Sequence, residues 1–460
     1  MMSVNFTPDA SAVADLRQKL VGTVALPGEA GYELRTPWNP SVPMAPAAVV
    51  AAATAEDVAG AVRWASANGL RAAVQRTGHG AVPYLDDVVL IHTGRLNECT
   101  IDVNQLTARV GAGVLSRQLI DAAAPFGLAP LVGTAGDVSF VGFLSGGGIG
   151  PMVATFGLSS DYVRSLDVVT GRGEMYHVTE SEHPDLFWGL RGSKANLGII
   201  TAVETKLPAL RALYAGALYF DGSNFSKVLH EWAQWSDTLP NLAATTLAAL
   251  QLPEMPFVPR QIAGRLVVAV RVATGTSVME AERLLGPMRA VAKPIRDTIA
   301  ERPYSDITEI YDEPTIPVPT QKDLTLLHSL PADAVDALIS TAGPDSGSPM
   351  LLVELRRLGG ALAQNSAAPS AFSHRDAAYM VHTVGLNVPP NPEVVTRAGQ
   401  RIHVAVRPWA IDGIFANFVA TTSQDRIRTA YDGASLRRLQ TTARHYDPLG
   451  TLATSGQLAR

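Results

Sequence analysis

One glycine-rich turn, Arg76-Thr77-Gly78-His79-Gly80, constrains this 460-residue chain more than any other stretch. An apolar run from Leu70 to Val74 leads into it, and Ala47 to Ala52 is a second short apolar run upstream. Between the two, Thr54-Ala55-Glu56-Asp57 is a capping-box start for a helix that reaches about Asn68 and ends at Gly69. The pattern predicts strand, helix, strand, and then a turn whose glycines allow a ligand close to the backbone and free N–H groups to face an anion. Arg76 adds a fixed positive charge, and His79 a nucleophilic ring nitrogen. No G-x-G-x-x-G lies between a strand and a helix with an acidic residue about 20 positions further on, so a Rossmann fold is not expected.

A second glycine-rich run spans residues 133–150, GTAGDVSFVGFLSGGGIG. Phe156-Gly157-Leu158-Ser159-Ser160-Asp161 follows, then Asp167-Val168-Val169-Thr170, then a segment from Leu186 to Thr201. Near the C-terminus stand Phe415-Ala416-Asn417-Phe418, Tyr431-Asp432-Gly433, Arg437-Arg438-Leu439 and Tyr446-Asp447-Pro448. In order and spacing these segments resemble the vanillyl-alcohol-oxidase superfamily, and most closely its berberine-bridge-enzyme-like FAD oxidases. Within that branch the pattern is similar to the singly linked bacterial 6-hydroxynicotine-oxidase-like members.

The resemblance implies an α+β, two-domain flavoprotein of the vanillyl-alcohol-oxidase type. Residues 1–207 and 405–460 would form the FAD-binding domain, and an inserted antiparallel-sheet domain, residues 208–404, would bind substrate. It also implies a covalent bond from His79 to the 8α-methyl of FAD. Arg76 and the amides of Thr77, Gly78 and Gly80 would meet the pyrophosphate. Gly133 and Thr134 would open the second cofactor-binding run, and Gly142, Gly146, Gly147, Gly148 and Gly150 would line the pyrophosphate and the isoalloxazine. Gly192, Asn196, Gly198, Ile199 and Ile200 match the adenine-side segment, and Asn417 the asparagine near the ring. Many members carry a second linking cysteine where this chain has Ala135, so the link is expected through His79 only. Val138 falls beside the flavin face that meets dioxygen; ordinary packing is the alternative. Phe415 lacks the hydroxyl of the family's tyrosine at its place.

The base that would take the substrate's proton is less constrained. Alternation along 351–357 puts Leu352, Glu354 and Arg356 on one face. Glu354 is a candidate base whose pKa desolvation would raise, and a pair with Arg356 or Arg357 is the competing reading. Tyr379 is a second catalytic candidate and His382 a third; their spacing puts them on opposite faces of one strand. His374-Arg375 reads as loop-ordering, and His92 and His403 as structural.

The remaining elements follow in order. Helices are expected over Pro8 to Leu20, Ser116 to Ala124, Phe225 to Trp235, Val278 to Val291 and Pro392 to Val406. Strands are expected at Val88 to Ile91, Ala108 to Gly111 and Gly198 to Leu207. Asp161 to Thr170 and Glu174 to Val178 form a hairpin around Gly171-Arg172-Gly173. Leu213 to Phe220, 244–250, 264–272, Met350 to Arg356 and Ala377 to Val384 read as strands, and 301–322 as irregular. The later strands suggest a sheet covered on one face, with the other roofing the flavin.

Composition narrows the function. At 47% hydrophobic and 17% charged residues, a chain this long holds a large core in two domains. A net charge of −5 argues against a nucleic-acid partner. The single cysteine, Cys99, rules out an internal disulfide and a zinc cluster, and no metal is expected. The opening MMSVNFTPDA has no basic-then-apolar leader, and no apolar run reaches about 18 residues, so a cytoplasmic location off the membrane is expected. The expected partners are a small-molecule substrate and dioxygen. The expected reaction takes a hydride from an alcohol or amine C–H of a small or secondary-metabolite substrate and yields hydrogen peroxide. A dehydrogenase using another acceptor, and a flavoprotein that sequesters a drug-like molecule, are the alternatives.

Overall fold

The computed structural model describes residues 9–84, 87–256, 258–364, 368–390, 392–454 and 458. Its first sheet has four strands in the order Thr23–Ala25, Ala48–Ala51, Val88–His92, Arg71–Gln75, the last three parallel. Val88–His92 is buried along its whole length, as an apolar central parallel strand must be. The crossover helix Ala55–Ala67 has the predicted capping box between Thr54 and Asp57. The Asp57 carboxylate also accepts from the amides of Val21 and Gly22 at 2.8 Å, which ties the helix start to the edge strand.

A second, antiparallel sheet runs Cys99–Asp102, Thr107–Gly111, Ile199–Lys206, Val163–Val169, Met175–Thr179. The hairpin expected at Gly171-Arg172-Gly173 closes it at one edge. The last long helix, Gly433–Tyr446, is capped by Asp432 and returns the chain to the first sheet, where Ala72 exchanges backbone bonds with Thr451 and Ala453. The helix expected from Pro8 is Ala10–Lys19 with Asp9 as its cap; Pro8 lies outside the described residues.

The third sheet has nine antiparallel strands, the longest being Ala212–Asp221, Leu266–Thr274 and Ala243–Gln251. Leu352–Arg357, Tyr379–Leu386 and Thr320–Leu327 continue it in that order. Helices Phe225–Thr238, Val278–Val291, Ala332–Ala342 and Pro392–Ala405 bury an apolar core on one face only. Two features depart from the sequence reading. The stretch 301–322 was expected to be irregular, yet its end opens the strand Thr320–Leu327, whose alternation is masked by Gln321, Lys322 and Asp323. Helix Ala332–Ala342 is not among the expected elements; its buried stripe is short and partly alanine and threonine: Ala334, Val335, Leu338, Thr341 and Ala342. The roof sheet also includes the short strand Ala410–Ile411, paired with Leu326 and Leu327. No described helix is long and apolar enough to cross a membrane.

Candidate active site

A cavity of about 530 Å³ lies between the glycine-rich turns and the uncovered face of the nine-stranded sheet. Strand Arg71–Gln75 delivers Arg76 to Gly80 into its wall. Gly78 has φ +72°, and a Cβ there would stand 2.6 Å from Pro37, so this position excludes other residues. Arg76 Nε donates to the Gly113 carbonyl at 2.9 Å. His79 Nδ1 lies 2.9 Å from Thr77 Oγ1, and Trp38 stacks on the imidazole with centroids 4.8 Å apart. Burial, helped by the charge of Lys322, pushes the His79 pKa down to about 3. The ring is therefore neutral at physiological pH and keeps a lone pair for bonding.

The second glycine run divides. Gly133, Thr134, Ala135, Val138 and Gly142 line the cavity as expected. Gly146, Gly147, Gly148 and Gly150 do not line it, and each is required by packing instead. A Cβ would meet the Asn417 side chain at Gly146, the Phe372 ring at Gly147, Ser159 at Gly148 and the Val132 carbonyl at Gly150. Asn417 itself reaches the cavity and donates to the Phe143 carbonyl at 2.7 Å. On the last segment Asn196, Gly198 and Ile200 line the cavity, while Ile199 points into the core of the first sheet. Gly192 packs against the Phe372 backbone.

The roof presents Leu352, Glu354 and Arg356 from one strand and His382 and Val384 from the next. Glu354 is opposite His382 in the sheet register. The raised pKa expected of Glu354 does not hold. Burial alone would raise it, but the guanidiniums of Arg356, at 2.8 Å, and Arg271, at 3.5 Å, outweigh burial and hold it below its ordinary value. The paired reading is the correct one. Tyr379 is also corrected. It faces the helices, with its hydroxyl 3.1 Å from Ser236 Oγ and its ring edge-on to Trp232. His382, its alternate, is the one in the cavity wall. The His382 Nε2 is buried without a hydrogen-bond partner, and the ring stands edge-on to Phe418. Burial, with smaller contributions from Lys322 and Arg356, pushes its pKa down to about 3.

Removing the charge of Glu354 by Glu354→Gln leaves Arg271 and Arg356 buried without a counter-ion. The expected cost is about 3–5 kcal/mol, read as a lower urea midpoint. His403, bonded to the hydroxyls of Thr325 and Thr383 at 2.9 Å each, has its pKa lowered by burial, as does His92. A histidine whose folded pKa is depressed contributes stability above the unfolded value of about 6.5 and loses it as pH falls below that value. The melting temperature is expected to decline from pH 6.5 downward, and His403→Gln to make the decline shallower between pH 6.5 and 5.

Several wall residues carried no signal that sequence reasoning used. Lys322 hid in the stretch read as irregular. Lys194, at φ +58°, donates to the Ala416 carbonyl at 2.9 Å, and burial lowers its pKa to about 8. Asn39 holds Thr320 through both its amide groups, at 2.7 and 3.2 Å, and so joins the segment before strand Ala48–Ala51 to the roof. His374 bonds the Thr429 carbonyl and Arg375 pairs with Asp161, so that pair orders a loop as expected. Among the described residues no cluster of metal-ligating side chains occurs.

A glycine-lined cavity, a neutral histidine on a nest-like turn and a polar roof fit a flavin, and the fold is the one seen in flavoproteins of the vanillyl-alcohol-oxidase type. Residues 46–179 match the family model described as an FAD binding domain. The chain is 30% identical over 303 residues to (R)-6-hydroxynicotine oxidase of Paenarthrobacter nicotinovorans, covering 64% of this chain and 63% of that protein. It is 34% identical over 227 residues to an FAD-linked oxidoreductase of Aspergillus terreus, covering 45% of it. The matched part therefore spans less than two thirds of either relative. Over 94% of this chain it is 24% identical to a Bacillus subtilis protein named an uncharacterized FAD-linked oxidoreductase. The solved structure of 6-hydroxy-D-nicotine oxidase from Arthrobacter nicotinovorans superposes with a TM-score of 0.81 at 22% identity, covering 95% of this chain and 97% of that one. Berberine-bridge-like protein 1 of Physcomitrella patens gives 0.82 at 20%, with 96% and 97% covered. At those identities the structures speak for the fold alone. Together these findings bear out the resemblance to berberine-bridge-like FAD oxidases and agree with the reading of the chain as an FAD-linked oxidoreductase.

Proposed function

We propose that the chain is an FAD-dependent oxidase acting on an alcohol or amine of a small-molecule substrate. The observation that carries this is the placing of two neutral histidines in one cavity, His79 on the glycine turn and His382 on the roof. His79, Gly78, Gly133, Gly142 and Asn417 would hold the cofactor. His79 would hold it covalently, by one bond from a ring nitrogen to the 8α-methyl carbon, the two hydrogens lost leaving on dioxygen as hydrogen peroxide. Ala135 lines the same wall and offers no second nucleophile. When bound, FAD supplies the acceptor for a hydride from the substrate carbon and passes both electrons to dioxygen, giving hydrogen peroxide.

The chain's own residues would manage the proton. His382 Nε2 takes the O–H or N–H proton as the hydride leaves. For an alcohol a base of low pKa suffices, because loss of hydride turns it into a protonated carbonyl, a much stronger acid; an amine bound neutral needs no full proton transfer, since the iminium it gives can keep its proton. Glu354 stays ionised between its two arginines and takes no proton; it balances their charge and fixes the roof. Leu250, Leu352 and Val384 exclude water from the same face. The substrate domain is proposed to be the unit bearing the nine-stranded sheet.

The test uses purified yellow protein and a panel of small alcohols and secondary amines. The expected result is bleaching of the flavin spectrum without air, recovery on admitting air, and one hydrogen peroxide per substrate oxidised. Bleaching that recovers with a quinone but not with air would make the protein a dehydrogenase. Tight binding with no bleaching by any member would make it a sequestering protein.

A further inference from the structure

We propose that the substrate of this oxidase site carries a carboxylate and that Lys322 is the residue that recognises it. The inference rests on the oxidase reading and deepens it. Lys322 sits on strand Thr320–Leu327, where alternation turns Thr320 and Lys322 toward the cavity. Among the described residues no carboxylate oxygen lies within 4.0 Å of its ammonium. Its recorded contact is the Trp38 ring, 5.7 Å from Nζ. The other cations of the wall are engaged: Lys194 with the Ala416 carbonyl, Arg76 with the Gly113 carbonyl and Arg356 with Glu354. The one roof carboxylate in contact with cations, Glu354, is already shared by Arg356 and Arg271. Glu313 on the wall accepts from Thr134 Oγ1 at 3.0 Å and reaches Lys322 only through longer-range attraction.

A largely buried ammonium with no carboxylate in contact is costly, and an incoming anion reduces the cost. The cofactor's phosphates would lie on the amides of the glycine turns, whereas Lys322 is carried by the roof strand Thr320–Leu327. Position then fixes the shape of the substrate. Lys322 is opposite Val384, and His382 is two residues from Val384 on the same face. Such diagonal neighbours stand about 7–8 Å apart. A carboxylate on Lys322 therefore presents a hydroxyl or amine to His382 when the two groups are separated by about the span of a benzene ring.

The probe is 4-(hydroxymethyl)benzoate against its uncharged partner 4-(hydroxymethyl)benzamide. Each is titrated into the flavin-loaded protein without air, and binding is followed by the flavin difference spectrum. Wild type is expected to bind the acid at least about tenfold more tightly than the amide, with the preference shrinking as salt rises. Lys322→Met is expected to abolish the preference and Lys322→Arg to keep it. Equal binding of acid and amide, no binding of either, or a preference that survives Lys322→Met overturns the assignment. So does a Lys322→Met protein whose ligand-free flavin potential shifts while its acid preference stays, since Lys322 would then serve the cofactor. Peroxide from uncharged alcohols with no acid preference sinks the assignment and leaves the oxidase. An acid preference that depends on Lys322, with no turnover of any alcohol or amine, sinks the oxidase and leaves the assignment.

Discussion

His79→Ala protein, precipitated with acid, is expected to release its yellow colour into the supernatant, while wild type keeps it in the pellet. The effect is all-or-none because one bond either exists or does not. His79 is suited to that bond by its surroundings. Burial holds the imidazole neutral, with a pKa of about 3, and Trp38 and Thr77 fix its orientation. No thiol stands in for it: Ala135 occupies the wall, and Cys99 lies on the second sheet, where burial raises its pKa. A wild-type supernatant that turns yellow would remove the covalent link and leave a tightly held FAD. A circular dichroism spectrum unchanged in the variant would show that loss of the link, and not of the fold, released the colour.

Replacing His382 is expected to have the next largest effect. His382→Ala and His382→Gln should slow anaerobic flavin reduction by about 10²–10⁴-fold, the usual contribution of a positioned base. Substrate dissociation constants should move far less, because the imidazole acts on the proton as the hydride leaves. Retained covalent flavin in both variants would separate this loss from a failure of assembly. An unchanged reduction rate would remove His382 from the chemistry and return the question to the other polar roof groups. Tyr379→Phe is the matching control. Its hydroxyl meets Ser236 on the far side of the sheet, so reduction should proceed at the wild-type rate.

The flavin half of the site was legible because short segments carry it. The turn from Arg76 to Gly80 follows its strand directly, so local sequence dictates both its shape and its direction. The capping box at Thr54 and the hairpin at Gly171 are local for the same reason. Glycine content was a poorer guide. Gly142 and Gly146 look alike in a sequence, yet one lines the cavity and the other makes room for Asn417, 271 positions later. A glycine reports that something comes close and does not say what.

The roof was less legible. Alternation correctly separated Tyr379 from His382, but strand period alone leaves open which face is covered. Four helices settled that by burying the Tyr379 side. Glu354 met two guanidiniums, and Arg271 arrives from a strand 83 residues away in sequence. Its pKa direction therefore depended on a distant partner.

By itself, then, the sequence determined the strand–helix–strand entry, the glycine turn with its histidine, the hairpin at Gly171 and the helix cap at Thr54. All of these rest on contacts between residues close along the chain. Only the tertiary structure decided which roof face meets the cavity, which carboxylate is neutralised and which cavity lysine has no carboxylate in contact among the described residues. Those properties come from side chains brought together across sheets, where burial strengthens every charge and local sequence carries no record of the partner.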